Sequence, residues 1–138
     1  MGVLKTGYYK LENNGYFVAL PTHTSGSRLS LQNDDGTSGL KWHIDKHDNG
    51  AFYTIFSEYD DVSGRKLGAS VSAMETSADI CGETGGSKHW IIKAVGEGIY
   101  TITISGLAWT NTKDEVVQLE TLDETPKDSQ KWQFKMWD

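Results

Sequence analysis

The chain has 138 residues, a formal net charge of -6 and a sequence pI near 5.1. An acidic chain without clustered Lys and Arg cannot neutralise a row of phosphates, so the composition argues against nucleic acid as a partner. No apolar run is long enough to cross a membrane, and Met1 to Lys5 lack the apolar segment of a secretion signal. We therefore expect a cytoplasmic protein with no membrane partner, in which the single Cys81 forms no internal disulfide.

The same sequence pattern occurs three times, at intervals of roughly 45 residues. In each copy a tyrosine opens a short alternating run, and a tryptophan opens another run near the end of the copy. The tyrosines are Tyr9, Tyr53 and Tyr100, and the tryptophans are Trp42, Trp90 and Trp132. A unit of this size is too small to bury a core alone. We therefore predict one domain of three repeats, at about 7–50, 51–97 and 98–138, that share a core.

Alternating apolar residues between turn signals such as Asn14-Gly15 and Asn49-Gly50 predict β-strands throughout the chain, since Asn-Gly readily adopts the positive φ of tight hairpins. No segment keeps a helical period over three turns. We predict four strands per repeat. In chain order they are Tyr8 to Glu12, Tyr16 to Leu20, Arg28 to Gln32, Lys41 to Asp45, Phe52 to Ser57, Lys66 to Ser70, Asp79 to Gly82, His89 to Lys93, Ile99 to Ile104, Leu107 to Trp109, Val116 to Leu122 and Lys131 to Lys135.

Three four-stranded units around an approximate threefold axis describe an all-β fold, the β-trefoil, with twelve strands in three pseudo-repeats. In this fold a six-stranded barrel is capped by three hairpins, and closure of the barrel removes exposed edge strands. We expect the three tyrosines to form a core layer with Leu11, Ile55 and Ile102, and the three tryptophans to close the barrel.

The repeats resemble the ricin-B-like β-trefoil proteins. Gln130-Lys131-Trp132 matches the Gln-x-Trp motif of that family, and the other two repeats keep the tryptophan of the motif. The opening Thr6 to Leu11 and the block Gly106 to Trp109 are similar to small cytoplasmic trefoils of mushrooms. That group contains lectins and protease inhibitors, including the cospin-like inhibitors. The resemblance implies a non-catalytic binding protein of fungal defence.

The resemblance also suggests where a sugar would bind. In sugar sites of the family, an aspartate at the end of the second strand of a repeat accepts hydrogen bonds from the sugar. The matching residues here are Ala19, Ala69 and Trp109, so all three acceptors are missing. Asn111 and Asp114 follow the third position and offer replacement acceptors. We therefore expect no galactose-type site in the first two repeats and keep Trp109, Asn111 and Asp114 as a degenerate site in the third.

A second implication concerns the loop from Thr22 to Arg28, which joins the second and third strands of the first repeat. Cospin-like inhibitors use an arginine in this loop, and Arg28 matches its location. The leading hypothesis is therefore inhibition of a trypsin-like serine protease, with Arg28 in the specificity pocket and Ser27 and Leu29 beside it. A rigid loop would bind tightly because it loses little entropy on docking. A plain solvated connection is the alternative for this loop.

Other functions remain open from the sequence. Arg65 and Lys66 form a secondary loop candidate for protease binding. A carbohydrate-binding lectin is the main alternative function, with Trp109, Tyr16 and Tyr59 as candidate exposed aromatic residues. Inhibition of papain-like cysteine proteases is a further alternative.

Cys81 has no evident activating partner, and the histidines do not have the spacing of a metal site. We expect no enzymatic activity, no metal and no cofactor.

Overall fold

The computed structural model describes residues 4–36, 38–112 and 114–137, and this part of the chain forms thirteen strands and three single-turn 3-10 helices. The strands are β1 (Gly7–Asn13), β2 (Tyr16–Ala19), β3 (Ser27–Arg28), β4 (Ser30–Gln32), β5 (Trp42–His47), β6 (Phe52–Asp60), β7 (Lys66–Ser70), β8 (Cys81–Glu83), β9 (Ile91–Gly96), β10 (Ile99–Ile104), β11 (Leu107–Asn111), β12 (Val117–Thr121) and β13 (Trp132–Met136). The helices are Ser38–Leu40, Asp48–Gly50 and Asp128–Gln130. No helix in the described ranges could span a bilayer.

Six strands pair in a closed ring and form a barrel. Going around the ring, β1 pairs with β5, β5 with β6, β9 with β10, β10 with β13, and β13 with β1. The bridge between Tyr53 and Trp90 joins β6 to the start of β9 and completes the closure. Every repeat contributes its first and last strand, so closure of the barrel requires all three repeats.

The remaining strands form three caps at one end of the barrel. They pair as β2 with β4, β7 with β8, and β11 with β12. The caps also contact each other, through β3 with β8 and through bridges from Ser30 to Val116 and from Asp79 to Gln118. This arrangement confirms the predicted β-trefoil. The predicted third strand is divided at Leu29, whose N–H donates to the Ile80 carbonyl of another cap, and this division gives thirteen strands instead of twelve.

The core contains the residues that the repeat pattern predicted. Leu11, Ile55 and Ile102 and all three repeat tryptophans are fully buried. Tyr9 and Tyr53 are buried as well, with their hydroxyls donating to the carbonyls of Lys5 and Leu4. Burial raises the pKa of both phenols. Tyr100 is only partly buried and packs against Phe134, with ring centroids 4.9 Å apart.

Indole hydrogen bonds define the equivalent positions of the three repeats. The Nε1–H groups of Trp42, Trp90 and Trp132 donate to the carbonyls of Val18, Ala69 and Trp109, each at 3.0 Å. The residue of the first repeat that corresponds to Ala69 and Trp109 is therefore Val18. Matching the repeats by sequence alone predicts Ala19 at this position, which is one residue too far along the chain. None of the three equivalent residues carries a carboxylate, so the missing sugar acceptors stay missing in the corrected register.

Candidate functional site

A cleft of about 940 Å³ lies between the first and third repeats. Its walls come from the β1–β2 hairpin, from the loop after β11, and from the turn that leads into β13. Its polar lining consists of the amide, hydroxyl, carboxylate and ammonium groups of Glu12, Asn13, Asn14, Tyr16, Asn111, Thr112, Glu115, Asp128, Ser129, Lys131 and Gln133. A concave surface with several fixed polar groups and one aromatic ring is typical of a small-molecule site.

The centre of this cleft is held by two asparagine side chains. Asn13 is buried, and its amide nitrogen donates to the carbonyls of Asp128 and Lys131 at 2.7 and 2.9 Å. The amide nitrogen of Asn111 donates to the Asn13 side-chain oxygen at 2.8 Å. These hydrogen bonds fix both amides and tie the first repeat to the third. We call this arrangement the Asn13–Asn111 clamp, and we call the cleft around it the clamp cleft.

The sides of the clamp cleft are held in place by backbone turns. Asn14 and Gly15 have φ angles of 54° and 85°, the left-handed pair that a two-residue hairpin requires, and they place Tyr16 on the rim with 42% of its surface exposed. On the opposite wall, Glu115 also has a positive φ, 63°, and its carbonyl accepts a hydrogen bond from the Leu31 N–H. A non-glycine residue in this region costs about 1–3 kcal/mol and is common where geometry serves a site.

The structure brings only one member of the predicted third-repeat sugar site into the clamp cleft. Asn111 lines it, whereas Asp114 is exposed in the loop after β11 and is not part of the lining. Trp109 is fully buried between Trp90 and Trp132, so its selection as an exposed aromatic residue was wrong. The reason is its equivalence to Val18 and Ala69, which are both core positions.

Asn13 was missed by the sequence analysis, although the sequence contains a signal for it. Tyr9, Leu11 and Asn13 alternate along β1 and share its buried face. A polar residue at the inward position of an alternating strand must find hydrogen-bond partners inside the protein. Its partners come from the third repeat, more than one hundred residues away, and their positions depend on barrel closure.

Arg28, the predicted protease-binding residue, lies in β3 and not in a free loop. Its backbone pairs with Cys81 of β8, and its guanidinium is 3.7 Å from the Asp79 carboxylate. The side chain is 60% exposed, so this ion pair is weak. Ser27 is half-buried beside it. Leu29 is fully buried and cannot contact a partner, so its inclusion among the contact residues was wrong.

The loop that precedes Arg28 is docked onto the second repeat. The His23 ring stacks on Tyr59 with centroids 4.0 Å apart, and His23 Nδ1 lies 2.9 Å from the Asp60 carbonyl. Further along, the Ser25 hydroxyl donates to Glu83 and accepts from the Thr84 N–H. The loop is therefore held along its length. Tyr59, another predicted exposed aromatic residue, is half-buried with one face covered by His23.

The secondary candidates Arg65 and Lys66 are exposed at the end of the β6–β7 hairpin. Asp61 organises this turn, since its Oδ1 accepts from the N–H groups of Ser63 and Arg65 at 2.9 and 2.8 Å. The hydrogen bond from Arg65, followed by those from Ser63, holds the pKa of Asp61 below its ordinary value. Val62 at the tip is 94% exposed.

Cys81 is partly buried in β8 and is a poor nucleophile. Burial first, and then the charges of Glu83 and Asp79, raise the pKa of its thiol. A raised pKa leaves less thiolate, which is the reactive form. Among the described residues, no group of three His, Cys, Asp or Glu side chains is arranged to hold a metal ion.

The strand order and the closed barrel define this chain as a β-trefoil protein. No protein-family model and no curated protein matches its sequence. Solved structures do match, among them the Rhizoctonia solani agglutinin, which is 21% identical, with a TM-score of 0.78 and 97% of both chains covered. The designed threefold-symmetric protein ThreeFoil is 18% identical, with a TM-score of 0.76, and covers 95% of this chain and 99% of its own.

A third match is the Macrolepiota procera ricin B-like lectin, whose structure was solved in complex with lactose. It is 17% identical, has a TM-score of 0.71, and covers 99% of this chain and 100% of its own. At these identities the likeness establishes the fold. Two of the three neighbours are an agglutinin and a ricin B-like lectin, so proteins with this architecture include carbohydrate binders.

Proposed function

We propose that this protein binds a neutral saccharide in the clamp cleft and catalyses no reaction on it. The observation that carries the proposal is the Asn13–Asn111 clamp, which fixes amide groups in a polar cleft. Asn13 uses both of its amide hydrogens within the clamp, whereas Asn111 uses only one there, so the Asn111 amide still offers a donor and an acceptor. Sugar hydroxyls need both. The structural likeness to a ricin B-like lectin solved with lactose supports the same choice.

Tyr16 supplies the apolar part of the proposed site. Its ring is 42% exposed on the rim, and a tyrosine combines a flat apolar face with a hydroxyl. A pyranose ring likewise has an apolar C–H face and polar hydroxyl edges. Because Glu12 already pairs with Lys135 at 2.7 Å, we assign the acceptors for sugar hydroxyls to the Asn111 amide and to the carboxylates of Glu115 and Asp128.

The test is a glycan array followed by calorimetric titration of the best neutral ligand. We expect Tyr16→Ala and Asn111→Leu each to weaken binding by about 5- to 30-fold, because each removes a stacking face or a polar partner worth roughly 1–2 kcal/mol. Tyr8→Ala is the matched control, since Tyr8 has the same 42% exposure and lies outside the cleft. Equal affinity in wild type and both cleft variants would refute this site.

Inhibition of a trypsin-like serine protease through Arg28 is a second candidate function. The favourable observation is that the loop before Arg28 is preorganised by His23 and Ser25, because a rigid loop loses little entropy on binding. The specificity pocket of trypsin ends in an aspartate, which an exposed arginine can reach. The Arg28–Asp79 ion pair would have to open, at small cost for so exposed a pair.

A protease panel separates this candidate from the lectin function. If Arg28 is the anchor, the wild type inhibits trypsin and not chymotrypsin, and Arg28→Glu abolishes inhibition while leaving Tm nearly unchanged. Arg65→Glu is the charge-matched control and should inhibit like the wild type. A papain-like enzyme in the same panel tests inhibition of cysteine proteases. If the wild type inhibits neither trypsin, nor chymotrypsin, nor the papain-like enzyme, carbohydrate binding is the one candidate function that remains.

A further inference from the structure

A second surface of the molecule collects lysines and aromatic rings. It consists of Lys10, Lys41, Lys135, Tyr8, Phe17 and Trp137, and we call it the lysine–aromatic patch. A cleft of about 430 Å³ runs through it, lined by Lys10, Phe17, Asp34, Lys135, Met136 and Trp137. Barrel closure assembles the patch, because its residues come from β1, β2, β13 and the segments beside β5 and β13.

The ammonium groups of the patch are fixed by the rings. The Nζ atom of Lys10 lies 4.9 Å from the centroid of Trp137, and that of Lys41 lies 4.8 Å from Tyr8 and 5.5 Å from Trp137. Lys135 Nζ lies 5.7 Å from the Phe17 centroid. A cation over a ring within about 6 Å is attracted by the ring quadrupole. The lysines therefore lose less side-chain freedom when they bind a ligand.

The charges of the patch are not balanced. Lys10 pairs with Asp34 and Lys135 pairs with Glu12, each at 2.7 Å, whereas Lys41 has no carboxylate partner within the described ranges. Lys10 and Lys135 are also direct cross-strand partners on β1 and β13, a like-charge arrangement that destabilises a sheet. Since two carboxylates face three lysines among the described residues, one positive charge is left over, at Lys41, and it favours an anion.

We propose that the lysine–aromatic patch binds an anionic saccharide unit, with Lys41 as the main contact for its carboxylate or sulfate. The sugar ring would lie against the exposed apolar surface of Tyr8 and Met136, which are 42% and 63% exposed. The patch adjoins the clamp cleft, because Glu12 lines that cleft and pairs with Lys135. The inference does not depend on the clamp cleft, since the two surfaces use different polar groups.

The test uses trigalacturonic acid and its methyl ester, which has the same rings without the charges. We expect the wild type to bind the acid and not the ester, and to lose affinity between 0.05 and 0.5 M NaCl, as screened charge pairs do. Lys41→Gln should weaken binding of the acid by about tenfold, the effect of one charge-assisted hydrogen bond. Lys46→Gln changes an exposed lysine of β5 that lies outside the patch, so it is the control and should bind like the wild type.

Other arms of this experiment separate the two proposed surfaces. Tyr16→Ala should keep affinity for the acid, and Lys41→Gln should keep affinity for a neutral glycan. Equal binding of acid and ester, unchanged affinity in Lys41→Gln, or full competition by equimolar inorganic sulfate would overturn the proposal. Since Lys41 is partly exposed, the Tm of Lys41→Gln should match that of the wild type, so that any loss of binding is not a loss of folding.

Discussion

The indole of Trp109 differs from those of the three repeat tryptophans in its hydrogen bonding. Trp42, Trp90 and Trp132 each donate Nε1–H to a backbone carbonyl, whereas Trp109 Nε1 is buried without a partner among the described residues. The Trp109 ring is almost perpendicular to those of Trp90 and Trp132, at 87° and 84°, so packing compensates for the missing hydrogen bond. An unpaired buried donor still costs about 1–3 kcal/mol.

This difference predicts unequal costs for the same substitution. Trp132→Phe removes the donor to the Trp109 carbonyl and leaves that buried oxygen unpaired, whereas Trp109→Phe removes a donor that has no partner. Both changes lose the same volume from fully buried positions. We expect Trp132→Phe to lower the free energy of unfolding by about 1 kcal/mol or more beyond Trp109→Phe, as measured by urea denaturation. An equal or reversed order would show that the Trp132 hydrogen bond contributes nothing.

At the scale of single elements, β7 depends on a glycine. A Cβ added to Gly68 would lie 2.3 Å from the backbone nitrogen of Ser87 and 2.6 Å from the Gly86 carbonyl carbon. We expect Gly68→Ala to destabilise the protein by about 1–3 kcal/mol, because backbone must move to relieve the contact. Gly85→Ala is the control in the adjacent turn, since a Cβ there meets nothing within 4 Å. Thermal unfolding measures both, and equal Tm values would contradict the packing argument.

The β6–β7 hairpin gives a prediction about pH. The pKa of Asp61 is lowered by its hydrogen bonds, first of all the one from the Arg65 N–H, so ordering of the turn is complete above the ordinary value of 3.8 and is lost as pH falls through the lower folded value. We expect the amide protons of Ser63 and Arg65 to shift upfield in NMR spectra below about pH 3.8.

Variants of Asp61 separate its charge from its hydrogen bonds. At pH 6, Asp61→Ala should give the acid-like positions of the Ser63 and Arg65 amide protons, whereas Asp61→Asn keeps one acceptor oxygen and should move them less. Val62→Ala, which leaves the carboxylate in place, is the control. Amide positions in Asp61→Ala that equal those of the wild type would mean that Asp61 does not order the turn.

The barrel strands could be predicted from the sequence, whereas the buried face of β11 and the Asn13–Asn111 clamp could not. The recurrence of a tryptophan at Trp42, Trp90 and Trp132 predicted the barrel, because a residue type that recurs at the same place in every repeat indicates an equivalent position in a shared core. The pattern could not tell that Trp109 is buried, since Leu107 to Thr110 reads as a strand with either face inward. The Asn13–Asn111 clamp joins residues from different repeats and needed the closed barrel to become visible.

At the scale of the whole molecule, the barrel is approximately threefold symmetric, whereas its surface is not. The clamp requires Asn13 at the end of β1 in the first repeat and Asn111 at the end of β11 in the third. In the register set by the indole hydrogen bonds, the residues that correspond to Asn111 are Leu20 and Val71, and neither has the side-chain amide that Asn111 provides. The like-charge pair of Lys10 and Lys135 likewise exists at one barrel seam.

A protein with three equivalent sites would bind three neutral glycans, and we instead expect one per chain. Titration of a neutral ligand found on the array should shift the amide NMR signals of Tyr16 and Asn111 with a single saturable constant. Signals of Ala19 and Ser70 should stay in place, because the second strands of these repeats have no counterpart of the Asn111 amide, and leaving sugar hydroxyls unpaired costs about 1–3 kcal/mol for each group. Calorimetry on the same sample should give a stoichiometry near one. Saturable shifts at Ala19 or Ser70 would show that the first two repeats bind sugar without a carboxylate and that the barrel symmetry extends to function.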